Sequence, residues 1–79
     1  MKKYIITYHL RNKEKIYDAF YDAIKTNMPE YRHVLEDMWI VKSDKTAGEI
    51  THLLLPHLYL GSPRADSIFV AEINAENVE

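Results

Sequence analysis

The stretch that decides the fold is KKYIITYHLRN, residues 2–12. Its tyrosine, isoleucine and threonine residues predict a β-strand over residues 3–10. Successive side chains of a strand point to opposite faces. One face therefore carries Ile5 and Thr7, and the other carries Tyr4, Ile6, Tyr8 and Leu10. Because apolar groups occur on both faces, we expect both faces of the sheet to be covered.

Length and composition predict a single small domain over residues 1–73, followed by a polar tail at residues 74–79. A core of this size is only marginally stable alone, and the chain has no cysteine to add a disulfide or a thiolate-bound zinc. No apolar run approaches the roughly 20 residues of a membrane span. The N-terminus also lacks the longer apolar region of a secretory signal. We therefore expect a soluble cytoplasmic protein without membrane contact.

The remaining sequence alternates helical and strand patterns. NKEKIYDAFYDAIKTNMPE, residues 12–30, predicts a helix capped by Asn12 and ended by Asn27 and Pro29. Its expected apolar face is Ile16, Ala19, Phe20, Ala23 and Ile24.

Two short strands are predicted next, at residues 31–35 and 38–42, broken by Glu36-Asp37. One long bent strand is the alternative. Thr46-Ala47-Gly48-Glu49 then fits a capping box, so a second helix begins there and stops near Leu55, before Pro56. SIFVAEI, residues 67–73, is the last strand.

This order, β-α-β-β-α-β, is typical of an α+β, ferredoxin-like sandwich. Such a fold has a four-stranded antiparallel sheet in the order 4-1-3-2, with two helices on one face. The opposite face would be apolar here, and a large exposed apolar patch indicates an interface. We therefore predict a homodimer packed sheet to sheet through Ile5, Thr7 and Trp39.

The predicted topology also gathers polar residues at the edge where the first strand ends. These residues are His9, Arg11, Asn12, Glu36, Asp37, Arg64 and Asp66. A histidine near carboxylates can act as a general acid or base, which makes His9 the candidate catalytic residue. A hydrogen-bonded surface histidine is the simpler interpretation.

Histidine spacing and net charge bear on whether the chain binds a metal ion or nucleic acid. The four histidines have no spacing typical of a metal site, so we predict no metal and no cofactor. The net charge of −2 argues against a general polyanion binder, but a local basic patch remains open. The candidate nucleic-acid-binding residues are Arg11, Asn12, Lys13, Arg32 and Arg64.

Four segments together resemble a known family. MKKYIITYHL, RHVLEDMWIVKS, AGEITHLLLPHL and DSIFVAEI, in this order, are similar to SinR-like small bacterial proteins of the CRISPR-associated endoribonuclease superfamily. That superfamily includes the second core CRISPR adaptation protein and the VapD-type toxins. The similarity runs through Ile73, and its most specific parts are H-V-L-E-x-x-W-I-V-K and the P-H-L after the second helix.

The resemblance implies a ferredoxin-like fold, a sheet-to-sheet homodimer and an association with RNA or double-stranded DNA. In nuclease members the first strand typically ends in Tyr-Asp, and the aspartate of each protomer can hold a divalent metal. The matching positions here are Tyr8 and His9. Imidazole suits Mg²⁺ poorly, because this cation prefers oxygen ligands. The substitution argues against metal-dependent cleavage and leaves metal-free cleavage through paired His9 residues open.

Two function classes follow from these observations. The first is a nucleic-acid-associated homodimer with a binding or adaptor role, or a degenerate, metal-independent ribonuclease. The second is a non-catalytic module for protein–protein interaction or regulation. The first depends on the resemblance and on the basic groups near the sheet edge.

Overall fold

A computed structural model describes residues 1–12, 14–61 and 63–73. The elements follow the order β1 (Lys2–His9), α1 (Asp18–Asn27), β2 (Glu30–Leu35), β3 (Met38–Ser43), α2 (Ala47–Leu54), a 3₁₀ turn (Leu55–His57) and β4 (Ser67–Ile73). All strand pairs are antiparallel, and the sheet order is β2-β3-β1-β4. The predicted ferredoxin-like α+β sandwich is confirmed, including its sheet order. The predicted tail, residues 74–79, lies outside the described residues.

The core lies between one face of the sheet and the two helices. The sheet contributes Tyr4, Ile6, Tyr8, Trp39 and Val41, and the helices contribute Phe20, Ala23, Ile24, Ile50 and Leu54. In β1 the burial alternates residue by residue, as period-two geometry requires. The helix-covered face of β1 is therefore the one that carries its tyrosines.

Helix α1 begins later than its sequence suggests. Asn12 was expected to cap it, but the helix starts at Asp18 after Tyr17, and no side chain caps it. The amide of Asn12 instead donates to Arg64 O and Asp66 Oδ1. Ile16 consequently lies outside the helix and is 75% exposed. The predicted end at Asn27 is confirmed.

The middle of the chain follows the local signals. β2 and β3 are separate strands joined at Glu36-Asp37, so the single bent strand is excluded. The capping box of α2 is complete, since Thr46 Oγ1 accepts from Glu49 N at 3.1 Å and Glu49 Oε1 accepts from Thr46 N at 2.8 Å. The α-helix ends at Leu54 and tightens into a 3₁₀ turn at Pro56. Among the described residues, no helix has the length and apolarity that crossing a bilayer requires.

Candidate functional site

A buried carboxylate organises the end of the sheet where β1 stops. Asp66 is 5% exposed and accepts hydrogen bonds from four donors. Oδ1 accepts from Arg11 N at 2.8 Å and from Asn12 Nδ2 at 3.1 Å, and Oδ2 accepts from Tyr59 N at 2.8 Å. The Tyr17 hydroxyl lies within 2.9 Å of both oxygens. This network joins the segment after β1 to the loop before β4.

The charge of Asp66 is stabilised by these donors. Burial by itself would raise the pKa of this carboxyl group, because it penalises the charged form. The hydrogen bonds from the backbone of Tyr59 and Arg11 and from the side chains of Tyr17 and Asn12 outweigh that effect, and the pKa is lowered. Tyr17 shows the converse: burial and its bond to Asp66 raise the pKa of its hydroxyl. The site therefore holds an ionised aspartate beside a neutral tyrosine.

Three of the predicted nucleic-acid-binding residues meet beside this network. Arg11, Asn12 and Arg64 line one groove of about 260 Å³, together with Glu14 and Pro63. Asn12 Nδ2 donates to Arg64 O at 3.0 Å, which ties the two sides of the groove together. Both arginine residues are exposed. We call this feature the arginine groove.

The other two predicted residues lie elsewhere. Arg32 is on β2, opposite Ile40, at the outer edge of the sheet. It does not line the arginine groove, so Arg32 is a candidate at a separate position of the sheet. Lys13 lies outside the described residues.

The second sheet face is not part of the core, and we call it the open face. The pairing register places these side chains on it: Lys3, Ile5, Thr7, His9, Glu30, Arg32, Leu35, Met38, Ile40, Lys42, Ser67, Phe69, Ala71 and Ile73. Its centre is aliphatic, with Ile5 between Ile40 and Ala71. Phe69 is 62% exposed. The cations of this face are Lys3 and Lys42, near the start of β1, and Arg32, on the edge strand β2. Glu30 Oε1 lies 3.8 Å from Lys42 Nζ.

Ile5 and Thr7 lie on the open face as expected, but Trp39 does not. Trp39 pairs with Ile6, so its side chain shares the helix-covered face, and it is 1% exposed. Its Nε1 donates to the Tyr8 hydroxyl at 2.9 Å, and the His33 ring stacks on it with centroids 4.2 Å apart. The prediction that Trp39 contributes to a sheet-to-sheet interface is therefore wrong.

His9 occupies the last position of β1, on the open face opposite Ser67. It is exposed. The carboxylates expected near His9 belong to Glu36 and Asp37. The backbone carbonyl groups of these two residues accept hydrogen bonds from β1. Asp37 O accepts from Tyr8 N and from Thr7 Oγ1, at 3.1 and 3.0 Å. Glu36 O accepts from the Tyr8 hydroxyl at 3.0 Å.

Tyr8 is held as a neutral structural group at this end. Burial raises the pKa of its hydroxyl well above the ordinary value, and the nearby Tyr21 and Asp37 add to the increase. The bond from Trp39 acts in the opposite direction but does not offset burial. The hydroxyl accepts one hydrogen bond from Trp39 and donates another to Glu36 O, so both roles are used within the protein.

The part of the chain that the structure describes contains no candidate metal-binding cluster. There, no three histidine, aspartate or glutamate side chains come together in a group able to hold an ion. His52 and His57 lie in α2 and in the 3₁₀ turn, while His9 and His33 lie on different faces of the sheet.

Sequence reasoning placed Asp66 at this edge but missed its central role and missed Tyr17. The contact between Tyr17 and Asp66 joins residues 49 positions apart, and no local spacing signals it. Tyr17 also falls within the segment that the helical pattern wrongly included in the first helix. Comparisons of the chain with family models, with curated proteins and with solved structures find no significant match.

Proposed function

We propose that this protein is a homodimer that associates with nucleic acid in a binding or adaptor role and does not cut it. The observation that carries the proposal is the arginine groove, which two exposed arginine residues line beside a buried, hydrogen-bonded Asp66. Guanidinium groups bind phosphate through two parallel hydrogen bonds, so two of them on one groove suit a phosphate backbone. The resemblance to SinR-like and VapD-type proteins points to the same class of partner.

The open face supports the dimer. Proteins that bind single strands on a sheet place aromatic rings at its centre, where bases stack. The centre here is aliphatic, at Ile5, Ile40 and Met38, and the exposed ring of Phe69 belongs to the edge strand β4. Aliphatic side chains gain more from burial against one another than from contact with bases. A second copy of the chain is therefore the occupant that fits this face.

The charges of the open face fit a two-fold arrangement. Thr7, Met38, Leu35 and Phe69 form one row across the sheet, and Lys3 and Lys42 belong to a row nearer the opposite end. A two-fold axis near Thr7 and Phe69 brings apolar groups together, keeps the lysine rows at the two outer ends and leaves Leu35, on the opposite edge strand, at the margin of the interface. Like charges then stay apart, and the lysine residues remain available for phosphate.

The dimer is tested by the mass of the protein in solution. Light scattering coupled to gel filtration should give twice the chain mass at micromolar concentration. Ile5→Lys places a charge at the centre of the open face and should give a folded monomer. Ile16→Lys makes the same substitution at an exposed position outside that face and should leave the dimer intact. A wild-type monomer would contradict this part of the proposal.

Nucleic-acid binding is tested with labelled RNA and duplex DNA at low salt, where phosphate contacts are strongest. Arg11→Ala and Arg64→Ala should each weaken binding of all sequences and lower the slope of log K against log salt by about 1. Lys25→Ala removes a cation from α1, away from the groove, and is the matched control. If the wild type binds neither RNA nor DNA, the proposal fails and the protein-interaction module takes its place.

The absence of cleavage is a separate expectation. The position that resembles the metal-binding aspartate is His9, and a hard divalent cation is held poorly by imidazole. RNA incubated with the protein should stay intact with and without Mg²⁺. Specific cleavage that is lost in His9→Ala would instead establish metal-free acid–base catalysis through this residue.

A further inference from the structure

A second cavity lies at the same end of the sheet as the arginine groove, and we call it the end cleft. It measures about 490 Å³ and opens between the end of β1, helix α1 and the β2–β3 turn. Sites for small organic groups have volumes of roughly 300–1,000 Å³. Its lining is aliphatic at Leu10 and Leu35, aromatic at Tyr8 and Tyr21, and acidic at Glu36 and Asp37.

The polar groups of the end cleft are the carboxylates of Glu36 and Asp37, the hydroxyl groups of Tyr8 and Tyr21, and the imidazole of His9. The Tyr8 hydroxyl is already engaged with Trp39 and with Glu36 O. The carboxylates of Glu36 and Asp37 belong to exposed residues, and no ion pair among the described residues engages them. Ionised carboxylates accept hydrogen bonds and cannot donate them. A ligand that presents N–H donors on a flat or apolar body therefore fits these two carboxylates.

The end cleft and the arginine groove are lined by consecutive residues of the chain after β1. Tyr8, His9 and Leu10 line the cleft, and Arg11 and Asn12, the next residues along the chain, line the groove. Neighbouring Cα atoms are about 3.8 Å apart. A strand whose phosphate contacts Arg11 therefore passes beside the residues that begin the lining of the end cleft.

Resting on the proposed function, we propose that the end cleft binds an unstacked base of single-stranded nucleic acid, and that it prefers a base with an exocyclic amino group. Cytosine meets these requirements, because its N4 amino group donates to carboxylates such as Glu36 and Asp37. Uracil presents a carbonyl oxygen at the same position, which is an acceptor like the carboxylates and cannot donate to them. The partly exposed ring of Tyr21 supplies the aromatic surface for stacking.

A base in a duplex does not satisfy the same geometry. Its amino group is hydrogen-bonded to the opposite strand and its faces are stacked. Only a single strand, a loop or an end can place a base in a cleft without the free-energy cost of breaking a base pair. The inference therefore narrows the partner from nucleic acid in general to single-stranded segments.

The test compares short labelled oligo(C) and oligo(U) RNAs at low salt and mildly alkaline pH, where cytosine stays unprotonated. These strands share the backbone and differ in the group at position 4 of the base. The wild type should bind oligo(C) about fivefold or more tightly than oligo(U). Glu36→Gln and Asp37→Asn should each reduce that ratio toward one without weakening oligo(U) binding, because each removes an acceptor charge and adds no clash.

The control is Glu72→Gln, which removes a carboxylate of the same kind from β4, outside the cleft. It should leave the ratio of oligo(C) to oligo(U) affinity unchanged. If it lowers the ratio as Glu36→Gln does, the preference for oligo(C) reflects overall charge. The proposal that the end cleft binds the base is then refuted.

The outcomes also separate the two proposals. If both strands bind with equal affinity, the base preference is refuted and the nucleic-acid association stands. If neither strand nor duplex DNA binds, the association fails and the base site fails with it.

Discussion

Replacement of Asp66 by alanine is the sharpest test of the structure, because this side chain holds the candidate site together. It would leave four donors without their acceptor: Arg11 N, Tyr59 N, Asn12 Nδ2 and the Tyr17 hydroxyl. The bonds to the two side-chain donors are buried, whereas the two backbone donors are only partly buried and can turn to water.

The size of the effect follows from that division. Each buried donor left unsatisfied costs about 1–3 kcal/mol. The Tyr17 hydroxyl loses both of its acceptor atoms, whereas the Asn12 amide keeps its bond to Arg64 O and loses one of two, so the expected loss in the free energy of unfolding is about 2–3 kcal/mol. A chain of 79 residues has a total stability of roughly 4–12 kcal/mol. Asp66→Ala should therefore remove a large share of the stability.

The assay is urea denaturation at fixed protein concentration, since dimerisation makes stability depend on concentration. Asp22→Ala, which removes an exposed carboxylate from α1, should change the stability by less than about 0.5 kcal/mol. Tyr17→Phe should cost about 1 kcal/mol in the wild type and less in the Asp66→Ala background, because its acceptor is then gone.

The pH dependence has a defined sign. The folded-state pKa of Asp66 is lowered, so its contribution is present above the unfolded value of about 3.9 and is lost as the pH falls through the folded value. The gap between wild type and Asp66→Ala should shrink below about pH 4. A loss under 0.5 kcal/mol at neutral pH, or a gap that does not change in acid, would refute the argument.

Three further substitutions test the core and the capping. Trp39→Phe removes the Nε1 donor to Tyr8 and leaves a void, so the free energy of unfolding should fall by about 2 kcal/mol. Unfolding is followed by circular dichroism, and no loss would mean that the donor is not buried in solution. Thr46→Ala should cost about 1 kcal/mol while Thr46→Ser retains the cap, and equal losses in both would contradict the capping box. Leu54→Ala, at a fully buried position of α2, should cost about 2–5 kcal/mol by the same assay, whereas a cost below about 1 kcal/mol would place Leu54 outside the core.

The elements predicted most accurately depend on neighbours in sequence. The start of α2 follows from Thr46 and Glu49, which satisfy each other's backbone donors within one turn, and its end follows from Pro56. The break at Glu36-Asp37 is equally local. These interactions need no partner from elsewhere in the chain.

The start of α1 was mispredicted because a distant partner competes for the cap. Asn12 can cap a helix, but in the structure its amide reaches Arg64 O and Asp66 Oδ1, 52 and 54 positions away. Glu14 lines the arginine groove and Tyr17 belongs to the Asp66 network, and both precede the helix, which begins at Asp18. Capping propensity at Asn12 does not reveal this competition.

The face of Trp39 was mispredicted for a related reason. β3 carries apolar groups on both faces, so its alternation alone does not show which face meets the helices. The register with β1 decides it, since Trp39 lies opposite Ile6 and takes the same side. A register shift of one residue would have exchanged the two faces.

By itself, the sequence determined the order of the elements, the ends of α2 and the alternation of faces in β1, because propensity, capping and period-two geometry act over a few residues. The predicted topology already placed Arg11, Asn12, Arg64 and Asp66 at one edge of the sheet. Only the tertiary structure decided that the Asp66 carboxylate accepts hydrogen bonds from Arg11 N and Asn12 Nδ2, and that Trp39 is buried beneath the helices. Both outcomes depend on strand register and on hydrogen bonds between segments far apart in the chain. Such contacts form only when the folded topology brings those segments together, and no local pattern encodes them.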